Sequence, residues 1–133
     1  MFKVALNQYY HIHLSPRKNR IYCKLNGFWP STARVEAYEE HLTQALTKIK
    51  SGASILFDLS DMKVHPPEVK LFHSKVERLL RNSGVQNIAE VVADNVLMEV
   101  EGNSPNSISS KFTTIQEADK WLDFRELDKE VLA

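Results

Sequence analysis

Apolar and polar residues alternate over 9-YYHIHL-14, with Tyr10, Ile12 and Leu14 on one face and Tyr9, His11 and His13 on the other. Alternation of period two predicts a half-buried strand. The run 20-RIYCKLNGF-28 repeats the pattern, placing Ile21, Cys23 and Leu25 on a common face. Between the two, 15-SPRKN-19 carries proline and asparagine at turn-friendly positions, so the pair predicts a hairpin. The period then changes. Val35, Tyr38, Leu42, Ala45, Leu46 and Ile49 recur at spacings of three and four, predicting an amphipathic helix from Ser31, its N-cap, to about Lys50. Glu36, Glu39, Glu40, Thr43 and Lys48 fall on its outer face, and Gly52 stops it.

The segment 54-SILFDL-59 is too apolar to have a solvent face, which predicts a central, parallel strand covered on both sides. A second helix is expected from about Pro66 to Asn82, with Val69, Phe72, Val76, Leu79 and Leu80 inward and Gly84 at its end. A strand over 87-NIAEVVAD-94 follows, then a helical turn at 96-VLMEV-100 and a polar loop. A short strand at 110-SKFTTI-115 leads into a last helix opened by the capping box 114-TIQE-117. There Ala118, Trp121 and Leu122 face the core. The order β-β-α-β-α-β-(α)-β-α predicts an α/β fold: a single mixed sheet of about five strands, hairpin first and parallel strands after, with helices packed on it.

A chain of 133 residues fits one domain over 1–133. Its 17 basic and 17 acidic residues cancel, so no global field draws it to nucleic acid or anionic lipid. The cluster Arg17, Lys18 and Arg20 reads as a solvated hairpin tip. One cysteine, Cys23, excludes an internal disulfide and a multi-cysteine zinc site, and its strand face points to burial. The first residues lack the pattern of a secretory signal, and no apolar run approaches the roughly 20 residues that span a bilayer. The expectation is a cytoplasmic protein without a transmembrane segment.

The hairpin ending at 26-NGFWP-30, the helix 35-VEAYEEHLTQAL-46, the strand 54-SILFDLSDM-62 and the ending 112-FTTIQEADKWL-122 together resemble STAS domains. This is the fold of anti-anti-sigma factors, and the likeness is to the SpoIIAA-like group in particular. The resemblance implies a regulatory module acting through protein contact. In regulatory members a kinase phosphorylates the serine of an Asp-Ser pair at the start of the helix after the Asp-Leu-Ser strand end. In this chain those positions fall at about Pro66 and Pro67, neither of which has a hydroxyl. Ser60 matches the serine of the strand end rather than the phosphorylated one.

The residues themselves point the same way. Pro66 and Pro67 remove two N–H donors from a first helical turn, where an anion would bind. No glycine lies in 58-DLSDMKVHPPEV-69, and Asp58, Asp61 and Glu68 repel anions. His65 beside these acids could form a carboxylate–histidine pair, and a hydrolase using Asp58, Ser60 and His65 is conceivable. One chain segment does not easily aim all three at one atom, so an exposed loop histidine is favoured. His11 and His13 have a spacing a metal site can use, but the sequence nominates no third ligand.

Phe28 and Trp29 form an aromatic loop pair suited to the core, a dimer contact or a pocket wall. The leading expectation is a non-enzymatic binding or regulatory module that acts through protein–protein contact, self-associates and lacks the serine switch. A carrier of a lipid or small apolar ligand is the alternative, its pocket lined by Phe28, Trp29 and Met98. Contact residues are expected among Phe28, Trp29, Asp58, Ser60, His65 and Met98. No catalytic residue, cofactor or metal ligand is nominated, and no nucleic-acid partner.

Overall fold

A computed structural model describes residues 2–6, 9–26, 32–61, 78–92 and 109–132. Six strands form one sheet in sequence order: β1 (Phe2–Leu6), β2 (Tyr10–Ser15), β3 (Arg20–Leu25), β4 (Ala53–Asp58), β5 (Val85–Val91) and β6 (Ser109–Phe112). The first three pair antiparallel, and β3, β4, β5 and β6 pair parallel. Helix α1 (Thr32–Leu46) joins β3 to β4, a helical segment over 78–82 precedes β5, and α2 (Ile115–Leu132) follows β6. The mixed sheet is therefore as the periodicity predicts, with one more strand than the five expected.

Central strand β4 is buried along its whole length and feeds two cores. Ile55 and Phe57 join Tyr10, Ile12, Leu14, Ile21, Cys23, Leu25 and Ile88 beneath Tyr38, Leu42 and Ala45 of α1. Leu56 turns the other way, to Ala89, Val91 and the α2 residues Ala118 and Leu122. Strand alternation thus divides β4 between helices on opposite faces.

Turn chemistry sets the joints. Gly52 and Gly84 take φ of +88° and +96°, the left-handed region in which a side chain is strained. Thr114 Oγ1 accepts the Glu117 N–H at 3.2 Å, the expected N-cap of α2. Asn19 is left-handed as well (φ 51°), and its side chain reaches across to the segment before β4. Its Nδ2 donates to the Lys50 carbonyl at 3.0 Å, while its Oδ1 accepts from the Lys50 N–H at 2.9 Å. Replacing Asn19 with Gly keeps the backbone and removes both side-chain bonds. A loss of about 1 kcal/mol is expected in urea unfolding, with Asn19→Ala costing more because it adds left-handed strain.

Candidate functional site

The register of β2, β3, β4 and β5 arranges the α2 side of the sheet in rows. One row runs Ser15, Arg20, Ser54, Asn87, the next His13, Tyr22, Leu56, Ala89, and the third His11, Lys24, Asp58, Val91. Helix α2 covers the β4–β6 side, with Trp121 tilted on Phe112 (ring centroids 5.5 Å apart) and the Arg125 guanidinium 5.3 Å from the Trp121 ring.

Its neighbour stripe is acidic. Asp119, Asp123 and Glu126, spaced i, i+4, i+7, share one helix face and meet the first row. Arg20 has no exposed surface and pairs through Nη1 with Asp119. Its Nη2 lies 2.9 Å from Asp123 and 3.3 Å from Glu126, an ion pairing without hydrogen-bond alignment. Nε donates to Ser54 Oγ at 2.9 Å, and that hydroxyl donates to Glu126 at 3.1 Å. Tyr22 and Lys18 donate to Asp119 at 2.7 and 3.2 Å.

Burial alone would raise the Asp119 carboxyl. Hydrogen bonds from Tyr22 and Arg20, with the Arg20 and Lys18 charges, outweigh it and hold Asp119 below the ordinary carboxylate value. The expected solvated tip is thereby corrected at Arg20, while Arg17 and Lys18 lie in the turn, Arg17 exposed. Arg20 opens β3 with its side chain under α2, where a buried cation needs carboxylates. Acids at 119, 123 and 126 were the sequence signal for it.

Beyond the edge of α2 the same sheet face opens. A cleft of about 190 Å³ is lined by His11, His13, Tyr22, Cys23, Lys24, Leu56, Asp58 and, from the first turn of α2, Ile115. On β1, Lys3 is opposite His13 and Leu6 is opposite His11. Leu6 and Ile115 are 53% and 45% exposed, so two large apolar side chains stand on this face beside the histidines and Lys24. Burial, and then the positive fields of His11 and Lys3, push the His13 imidazole below its ordinary value.

Asp58 and Ser60 are brought together, in a turn. Asp58 Oδ1 accepts from the Ser60 N–H at 3.1 Å and from its hydroxyl at 2.6 Å. The Ser60 proton thus goes to a carboxylate that closes the strand, the geometry of an Asx turn. Lys24 Nζ pairs with Asp61 at 3.0 Å. The nominated Phe28, Trp29, His65 and Met98, together with Pro66, Pro67 and His73, lie outside the described residues. His41 bonds through Nδ1 to the Tyr10 hydroxyl at 2.5 Å. Cys23 is buried with its thiol pushed up to about 12 by desolvation, which suppresses the thiolate. Among the described residues, no group of three or more His, Cys, Asp or Glu is placed to hold a metal ion, and no helix is long and apolar enough to cross a membrane.

The rows of the sheet, the two-faced β4 and the helices on either side define a SpoIIAA-like α/β fold. An uncharacterized protein of the DUF3478 family with that fold, from Shewanella loihica PV-4, superimposes with a TM-score of 0.62 at 15% identity, over 89% of this chain and 97% of that one. No family model and no curated protein matches the chain. The likeness carries the architecture expected from the sequence.

Proposed function

We propose that the domain is a non-enzymatic, cytoplasmic binding module whose contact surface is the part of the sheet that α2 leaves open. One observation carries this reading: Leu6 and Ile115 stand exposed on the same face as His11, His13, Tyr22 and Lys24. Exposed apolar side chains beside aromatic and polar ones make up a protein-contact surface. The pocket expected at Phe28, Trp29 and Met98 lies outside the described residues. For this cleft the volume favours contact over carriage. At about 190 Å³ it is smaller than the ~300 Å³ at which enclosed small-ligand sites begin, so it suits one inserted side chain.

Self-association belongs to the same reading, since β1 is an edge strand with Leu6 outward. A photo-crosslinking residue at position 11 or 24, in the native host cells, is expected to capture a discrete protein or a second copy of the chain. The same residue at position 44, on the exposed side of α1, should not. Identical products from both faces, or none from the open face, would overturn the proposal.

A further inference from the structure

We propose that the group received by the cleft is a carboxylate, presented by an acidic side chain or a chain terminus of the bound protein. This deepens the reading of the open face as a contact surface and rests on it.

Charge is the first argument. Lys3 from β1, His11 and His13 from β2 and Lys24 from β3 share the open face, brought together by the register of three strands. Imidazole and ammonium groups so placed repel one another, and an anion among them relieves that repulsion. His13 already shows it, its basicity lowered by burial and then by His11 and Lys3. Of the acids nearby, Asp58 lines the cleft itself and is 6% exposed. Its Oδ1 accepts from the Ser60 N–H and hydroxyl, which stabilise its charge without cancelling it. The two histidines, Lys3 and Lys24 are thus set against one buried carboxylate. Asp61 sits on Lys24, but in an ion pair with 39% and 61% of the two side chains exposed. A pair this open is worth little and exchanges readily for an incoming carboxylate. The stripe Asp119, Asp123 and Glu126 lies towards the other end of the face and is held by Arg20 and Lys18. Tyr22 lines the cleft as well, with its hydroxyl already donating to Asp119.

Shape is the second. Leu56 and Ile115 supply apolar wall, and the volume suits the two methylenes and carboxylate of a glutamate side chain. Partial exclusion of water strengthens each charge–charge contact inside. Because the carboxylate favours protonated histidine, binding takes up a proton, and affinity falls as pH rises through the histidine range.

The test uses the full ¹⁵N-labelled chain and N-acetyl-glutamate amide as probe, with N-acetyl-glutamine amide as its neutral isostere, at pH 6 and pH 8. Saturable shifts at residues 11, 13, 24, 56 and 115 are expected with the glutamate probe alone. They should weaken by up to about tenfold at pH 8, the limit for a one-unit change in one histidine pKa. His13→Gln and Lys24→Gln, checked by their spectra for an intact fold, should each weaken the response. Equal shifts from the glutamine probe, shifts scattered over the surface, or none would overturn the carboxylate. A silent glutamate probe alongside a face-specific crosslink would remove the acidic chemistry and leave the contact surface standing. Silence in both experiments would remove both.

Discussion

Arg20→Ala is expected to lower the unfolding free energy by about 3 kcal/mol, near the bottom of the ~3–5 kcal/mol range for breaking a buried ion pair. The lower end follows from geometry. Asp119, Asp123 and Glu126 keep 27%, 50% and 31% of their side-chain surface exposed, so they regain water when the guanidinium is gone. What remains is their mutual repulsion on one helix face, the void left by the side chain and the lost bond to Ser54. For a domain of this size the midpoint should fall by roughly 10 °C. Arg20→Met, which refills the space, should recover part of the loss, whereas Lys18→Met, at a 38% exposed side chain, should cost less than about 1 kcal/mol. An Arg20→Ala protein as stable as the parent would show that α2 docks without its ion pairs to Arg20, through contacts such as Ala118, Trp121 and Leu122.

The same cluster sets acid stability. Asp119 titrates lower in the folded chain than in the unfolded one, so the unfolded state binds more protons in acid. Its contribution is complete above about pH 4, the ordinary aspartate value, and is lost as pH falls through the folded value. Asp119→Asn should flatten the acid limb of a stability–pH curve measured in urea, and a curve parallel to that of the parent would contradict the assignment.

Where a single side-chain period ran unbroken, the chain could be read directly. The alternations at Tyr10–Leu14 and Ile21–Leu25, the α1 stripe through Tyr38, Leu42 and Ala45, and the unbroken apolar β4 all fold as their spacing implies. Strand β1 is absent from the expected elements although Phe2, Val4 and Leu6 alternate. Its faces cannot be read from that alternation, because the pairing slips between Lys3 and Ala5 and puts Phe2 and Ala5 on one side, Lys3 and Leu6 on the other. Arg20 was misread for a related reason. Its neighbours Arg17 and Lys18 belong to the turn, whereas Arg20 opens the strand on the face that α2 covers, and only the acids of α2, far along the chain, mark it as a buried cation. The open face is a product of register: Lys3, His13 and Tyr22 lie far apart in sequence order but side by side across three strands. Spacing along one segment carries no trace of such a row, and the residues singled out from the junction at Asp58 and Ser60 form a turn beside it.

Ile55→Ala should be the most damaging apolar substitution, at about 4 kcal/mol, within the ~2–5 kcal/mol usual for an isoleucine cut back in a close-packed core. Ile21, Ile55 and Ile88 stand in register across the three parallel strands, all without exposed surface, on the face that α1 covers. Each side neighbour of Ile55 is thus a stiff β-branched chain on a paired strand, which cannot swing in to fill the void. Ile55→Val removes one methylene and should cost about 1 kcal/mol. Leu6→Ala on the exposed edge should stay within about 0.5 kcal/mol. Urea unfolding with an unchanged slope checks all three, and an Ile55→Ala cost under 1.5 kcal/mol would mean the core collapses into the space. The isoleucine row and the open cleft lie on opposite faces of β3 and β4. Ile55→Val should therefore lose stability while keeping the cleft's response to the glutamate probe, and Leu6→Ala should keep stability while weakening capture of the partner.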